Sequence, residues 1–317
     1  MTEHWQSRPE GGGRFALWLI RTIALRGGRP LGRVLLYPIT LYFYLRRGPE
    51  RRASRSFLER VLGKPVTPWQ VMKHIHCFAA TILDRIFLLA HGEKNFDVTV
   101  EGLDVLEACL AEGRGLLLLG THQGSFEALR AISSRRPDIP LRVVLDKQKT
   151  PAMTELLEAL APDVGAQVID ASQGGASIAL AMAEACEQGA MVALLADRGR
   201  EHEVLRRVPL LGEPAPFPVG PWLLAHTLRA PVMLCFGLYE GGNRYRLVFE
   251  PFAERIEIPR QDRAQALDAV LARFARRVEH YIHAAPYNWF NFYDFWQQDA
   301  NTAVRPDAVA VRERVGA

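Results

Sequence analysis

Four consecutive leucines, Leu116 to Leu119, sit between Gly115 and Gly120. A run this apolar and this short predicts a strand buried on both faces, since a helix needs more length and would leave polar residues at regular intervals. Ala190 to Ala196 and Val232 to Phe236 repeat the pattern, with Pro231 tolerated at a strand start, and Leu141–Leu145 and Ala166–Ile169 read as shorter strands. Helical spacing of apolar residues marks Trp69 to about Ala90, Leu103–Leu110, Met153–Leu160, a stretch ending at Glu187, Pro221–Leu228 and Gln261–His283. Ser172 is a candidate cap for the stretch that ends at Glu187. Phe96 to Val100 alternates as a strand, and Tyr245–Glu250 is expected to fold back across Gly241-Gly242-Asn243 as a hairpin. The pattern predicts an α/β domain with a mixed, mostly parallel central sheet flanked by helices.

Two apolar runs precede this domain, Phe15 to Leu25 and Val34 to Leu45. Each falls well short of the roughly 20 residues that span a bilayer, and Arg21 interrupts the first. The second is rich in tyrosine and is followed by Arg46, Arg47, Arg51, Arg52 and Arg55, as suits a helical hairpin lying at head-group depth beside anionic lipid. The alternative is a hairpin packed on the protein's own core with a basic, solvated face. Residues 1–60 hold twelve arginines and four acids, so the positive charge is concentrated at the front of the chain. No nucleic-acid-binding motif accompanies it, which excludes nucleic acid as the expected partner.

The division expected is a membrane-association segment over 1–60, one α/β domain over 61–300 and a loose tail over 301–317. Met1 to Gly13 is polar and expected to fray, with no small-residue cleavage site after it. Cys77, Cys109, Cys186 and Cys235 stand singly, as reduced core thiols of a cytosolic domain would. His74 and His76 are two positions apart on a helix and cannot share a face, so no metal site is expected there.

Chemistry concentrates after the four leucines. With Gly120 ending the strand and a helix expected from Ser125 through Phe126, Leu129 and Ile132, His122 falls at a strand's carboxyl end, where open α/β sheets place their sites. Glu127 lies five positions later. Imidazole takes a proton near neutral pH, and a carboxylate on its other nitrogen fixes the tautomer, so the pair would deprotonate a hydroxyl. The plainer alternative is a histidine capping a helix whose first turn carries an ordinary acid. Asp197-Arg198-Gly199 ends a second buried strand and would converge on the same cleft, unless it is only an Asp-x-Gly turn. No Gly-x-Ser-x-Gly elbow or placed cysteine offers a nucleophile, and Gly174-Gly175 lacks the rest of a phosphate-binding signature.

The segment Thr121-His122-Gln123-Gly124-Ser125-Phe126-Glu127 resembles the His-x4-Asp/Glu block of the lysophospholipid acyltransferase superfamily. More narrowly, it resembles the branch that contains the late acyltransferases of lipid A biosynthesis, where a similar His-Gln-Gly-Asn-Trp-Glu run follows an apolar strand. Downstream, Val208 to Pro221 resembles that branch's Phe-Phe-Gly-x-Pro-Ala region. Ala230-Pro231-Val232 is similar to the block that opens an apolar strand, and Pro286 to Trp296 to the closing aromatic segment, so that the matches span about Phe96 to Trp296.

The resemblance implies a glycerolipid acyltransferase-like fold and transfer of a fatty acyl chain from an acyl carrier protein or coenzyme A thioester to a hydroxyl of a lipid acceptor. The work would be done without a cofactor, at the membrane surface on the cytoplasmic face of the bacterial inner membrane. It implies His122 as general base and Glu127 as its orienting acid, with Gln123 and Gly124 beside them at the substrate. Lys147 and Lys149 stand where the family carries an arginine for the donor or the developing charge, unless they form a solvated loop. Asp197 and Arg198 occupy the place of an Asp-Gln block that helps to bind acceptor, and Lys147 or Arg198 would join a backbone amide at the oxyanion.

These departures leave the acceptor open among a lipid A precursor, another glycolipid and the lipid anchor of an aryl polyene-type pigment. A thioesterase using the same pair on water, and a non-catalytic lipid-binding relative, compete with these readings. Arg200 to Arg207 reads as an irregular flap or a docking surface for an acidic carrier.

Overall fold

The structure is a computed structural model that describes residues 13–129, 139–199 and 203–297, with side chains from residue 27 onward except at 152, 163 and 164. The expectations for most of Met1 to Gly13, for the packing of Phe15 to Leu25, for a helix continuing through Ile132, for residues 200–202 and for the tail 301–317 lie outside the described residues. Seven strands form the central sheet: β1 (Asp97–Glu101), β2 (Leu116–Gly124), β3 (Leu141–Leu145), β4 (Val168–Asp170), β5 (Met191–Leu195), β8 (Val232–Gly241) and β9 (Arg244–Ala253). Their order is β1-β9-β8-β2-β5-β3-β4, and every neighbouring pair is parallel except β8 with β9. The mixed, mostly parallel sheet expected from the apolar runs is the one observed.

The four leucines divide between two cores. Leu117 and Leu119 of β2, with Val192, Leu194, Val232 and Leu234, face one side of the sheet. Leu116 and Leu118, with Met191, Ala193 and Met233, face the other. All four leucines are fully buried, because side chains alternate across a strand whose two faces are both covered by helices. On the first side lie α2 (Gly48–Leu62), α6 (Gly175–Glu187), α7 (Gly220–Leu228) and α8 (Arg263–Ala284), contributing Phe57, Met182, Trp222 and Phe274. The second side is closed by α1 (Gly13–Arg46), α3 (Pro68–His91) and α4 (Leu103–Ala111), through Leu36, Leu83, Phe87 and Leu106. α5 (Pro151–Leu160) packs near β4 through Leu157 and Leu160. Phe57 and Leu58, assigned from sequence to the front segment, belong to the main core.

α3 begins with a reciprocal cap, in which the Thr67 hydroxyl accepts from Gln70 N–H and the Gln70 amide oxygen accepts from Thr67 N–H. α6, in contrast, starts at Gly174 without a side-chain cap, and Ser172 instead turns its own N–H onto Asp170.

The two apolar runs at the front form one helical element, broken at Gly28, whose φ of 73° and ψ of 172° are not helical. After the break α1 lies along α3. Arg29 makes a bidentate pair with the buried Asp84, at 2.8 and 2.9 Å, and Tyr245 donates to the same carboxylate at 3.0 Å. The outer face of α1 is apolar and bare: Leu31, Val34, Tyr37, Leu41, Tyr42 and Leu45 are each 48–65% exposed. Among the described residues no helix is long and apolar enough to cross a membrane.

Two further strands, β6 (Leu205–Leu210) and β7 (Glu213–Pro218), form a separate antiparallel ribbon. The sequence reading made residues 200–207 irregular. Their last three residues instead belong to β6, in a ribbon that carries Pro209, Pro214, Pro216 and Pro218 because each of its strands has a free edge.

Candidate active site

β2 continues past Gly120 to Gly124, and there its pairing with β8 slips. Gly120 is opposite Cys235 and Gly124 opposite Gly237, so three residues of β2 stand against one of β8. The surplus makes a bulge, and His122 is its central residue. Gly124 closes the bulge at φ 65°, in close approach to β8, where a Cβ would run into the Gly237 carbonyl.

Pairing for the bulge comes from the far end of the chain. Phe290 N–H donates to the His122 carbonyl at 2.9 Å, Gly124 N–H donates to the Asn288 carbonyl at 2.8 Å, and Gln123 stands opposite Trp289 in an antiparallel bridge. Asn288 is itself fixed to β8, accepting from Tyr239 N–H at 2.7 Å and donating to the Tyr239 carbonyl at 3.1 Å. His74 on α3 locks the segment from behind. Its Nε2 bonds the Trp289 carbonyl at 3.0 Å and so must carry the hydrogen, which leaves Nδ1 to accept from Ser54 at 2.8 Å. Burial holds His74 neutral and lowers its pKa to about 4.

The acid on the His122 ring is Asp197, just beyond the end of β5, the strand beside β2. His122 Nδ1 lies 2.7 Å from Asp197 Oδ1, and His122 N–H donates to Oδ2 at 3.1 Å. Trp289 Nε1 donates to the same Oδ2 at 3.0 Å. Asp197 is completely buried, which opposes its ionisation, but His122 and Arg198 outweigh that and hold the carboxyl well below the usual range. An ionised acid can only accept, so Nδ1 carries the hydrogen and Nε2 presents a free lone pair. The ring is 29% exposed. Its pKa is lowered, chiefly by burial and next by the Arg198 charge, with Asp197 pulling the other way.

Glu127 was expected on that ring and is elsewhere. It sits in a 3-10 turn, Phe126–Leu129, where Oε1 lies 2.7 Å from Arg85 Nε on α3 and Oε2 accepts from Ser125 Oγ at 3.0 Å. Five positions of separation bring a residue near in sequence, but the turn carries Glu127 toward α3 and leaves Nδ1 to the next strand. Asp197 is thus a partner of His122 and lies beneath the ring, where it is sealed from substrate. Gln123, expected at substrate, is 2% exposed and directs its amide onto the Val278 carbonyl at 3.4 Å. Gly124 serves the chain's turn.

Arg198 comes close to the dyad but is already engaged, donating from Nε to Asn291 Oδ1 at 2.5 Å and from Nη2 to the Phe290 carbonyl at 2.6 Å. Lys147 and Lys149 follow β3, which is separated from β2 by β5, so their loop starts two strand spacings, roughly 10 Å, from the histidine's strand. Their backbone N–H groups are bonded to Asp170 and Asp146. The residues that sequence reasoning passed over are Trp289, Asn288, His74 and Arg85. The density of rings in Pro286 to Trp296 marks Trp289 and Asn288, and His74 enters only as a metal ligand, set aside by its spacing from His76.

A histidine held by an ionised acid, at the carboxyl end of a strand in a mixed sheet, is equipped to activate a hydroxyl. The chain is an acyltransferase acting on a lipid-linked acceptor. Residues 53–298 match the bacterial lipid A biosynthesis acyltransferases, and the chain belongs to that family. It is also similar to the phosphatidylinositol mannoside acyltransferases of two strains of Mycobacterium tuberculosis, with 26% identity over 273 residues, covering 83% of this chain and 82% of each relative.

Proposed function

We propose that this protein moves a fatty acyl chain from a thioester to a sugar hydroxyl of a glycolipid by direct attack, with His122 Nε2 as general base and Asp197 holding Nδ1. The acceptor oxygen forms its bond to the thioester carbonyl carbon as its proton passes to Nε2. Collapse breaks the carbon–sulfur bond, and the imidazolium returns the proton to the departing thiolate. The observation that carries this reading is the 2.7 Å contact between His122 Nδ1 and a buried, ionised Asp197, with the opposite edge of the ring left accessible. The donor is an acyl carrier protein or coenzyme A thioester. A sugar hydroxyl suits both a lipid A precursor and a phosphatidylinositol mannoside, the acceptors that the family's and the relatives' names carry.

The reading includes a location, the cytoplasmic face of the bacterial inner membrane. The bare apolar stripe of α1 and the exposed Trp69 support contact with lipid, and the arginines after Leu45 support attraction to anionic head groups. Incubating the purified chain with palmitoyl-coenzyme A or palmitoyl-acyl carrier protein, against each glycolipid and total membrane lipid, tests the reaction by mass spectrometry. An acylated glycolipid formed by wild type and lost in His122→Ala is the expected result. Free fatty acid without acylated lipid would make the protein a hydrolase, and an equally active His122→Ala would remove the base.

A further inference from the structure

Glu127 does not touch the ring, yet both its oxygens are used and its side chain is only 11% exposed. Its partner Arg85 is 27% exposed, close to the exposure of His122, and among the described residues it has no other partner. α3 carries Arg85 two turns beyond Phe78, which packs on Phe290 and Phe292 of the segment that pairs with the bulge. The guanidinium is close enough to His122 for its charge to disfavour the imidazolium. The charges that act on the ring are Asp197 and Arg198 at the end of β5 and Arg85 on α3, while Ser125 and Glu127 follow the strand that carries His122, with Glu127 in the turn Phe126–Leu129.

Attack on a thioester moves an electron pair onto the carbonyl oxygen, and that oxygen needs donors. The backbone offers few. His122 N–H is committed to Asp197, Gly124 N–H to the Asn288 carbonyl and Ser125 N–H to the Gly237 carbonyl. Arg198 spends Nε and Nη2 on Asn291 and Phe290. Building on the acyl-transfer reading above, we propose that Arg85 is a catalytic residue whose terminal N–H groups receive the developing thioester oxyanion, and that Glu127 is the positioning residue that aims it. The conserved balance of the reaction is unchanged: the oxygen's charge is borrowed from the carbonyl bond and returned when the thiolate leaves.

The test uses full-length wild type, Arg85→Gln, Arg85→Lys and Glu127→Gln, each checked for an unaltered circular dichroism spectrum. Turnover with palmitoyl-coenzyme A should fall on the order of 100-fold in kcat for Arg85→Gln with little change in KM, and less in Glu127→Gln, where a side-chain oxygen remains beside the guanidinium. Titration of the His122 ring by NMR, assigned through His122→Ala, reads the same geometry without turnover. Removing a nearby cation raises the midpoint in Arg85→Gln, whereas Arg85→Lys keeps it near the wild-type value. A folded Arg85→Gln with wild-type kcat and an unmoved His122 midpoint would reduce the pair to a structural tie. A rise in KM alone would overturn the oxyanion role. Failure of the acyl-transfer reading shows instead in the wild type, as no transfer from either donor, and the titration still decides whether Arg85 faces the ring.

Discussion

Trp289 donates its indole N–H to Asp197 Oδ2 at 3.0 Å, across 92 positions of sequence. The bond turns an aromatic side chain buried among Phe57, Phe295 and Trp296 into a support for the carboxylate that holds His122. Trp289→Phe keeps most of the packing and removes one of three donors to that carboxylate. Kinetics should show a fall in kcat of roughly tenfold, and denaturant unfolding a loss of about 1.5–3 kcal/mol, the range for a hydrogen bond to a charged group. An unchanged kcat would mean that His122 alone suffices to place Asp197.

The two acids near His122 should separate by magnitude. Asp197→Asn can offer its amide N–H to Nδ1 and so favour the tautomer with hydrogen on Nε2, which is useless as a base. Turnover is expected to drop on the order of 10³- to 10⁴-fold with the fold retained. Glu127→Gln should lose less. Equal losses, or the reverse order, would return Glu127 to the ring.

Two histidines set the pH behaviour in different ways. In the proposed mechanism His122 acts when neutral, and its pKa lies below the ordinary value of 6.5, so the acidic limb of kcat/KM should fall below pH 6.5 and activity be lost as pH drops through it. His74 governs stability. In the folded protein it protonates near pH 4, whereas in the unfolded chain it does so near 6.5. Between those values the unfolded chain binds the extra proton, so stability declines as pH falls through that window, by about 3 kcal/mol in all, and levels off below it. Denaturant midpoints from pH 7 to pH 4 should lose most of this slope in His74→Gln.

Lipid contact through α1 has its own signature. Leu41→Glu with Tyr42→Glu places two charges on a face that is already exposed, so folding stability should change by only about 0.5 kcal/mol per site. Sedimentation with vesicles of phosphatidylglycerol and phosphatidylcholine should show binding weakened by roughly 100-fold or more, given about 1.5–3 kcal/mol for each large apolar side chain removed from lipid. Wild-type binding should also weaken with added salt, through the arginines. Vesicle binding that ignores the double substitution would place the contact elsewhere.

The central sheet was legible because β2, β5 and β8 are covered on both faces, so their apolar runs needed no tertiary information to be read as strands. The ribbon of β6 and β7 was hidden by its prolines, which count against a strand unless it lies at an edge. His122 could be placed from the leucines that lead to it. Its acid could not: the local spacing favoured Glu127, whereas strand order decided for Asp197, and strand order is a property of the assembled sheet. The same holds for the end of β2, expected at Gly120 but extended to Gly124 by pairing with residues 288–290. The break at Gly28 falls in the gap between the two apolar runs, and all of the exposed stripe except Leu31 lies on the second of them.

Because the bulge around His122 is hydrogen-bonded by residues 288–290, its pairing is completed only after synthesis has passed them. A growing chain that has already passed Asp197 possesses both members of the dyad but not the strand partner or the indole that hold them in register. The order of the His122–Asp197 pair therefore arrives with the aromatic segment from Pro286 to Trp296, and a polypeptide released before it would carry the two side chains without the pairing that sets them.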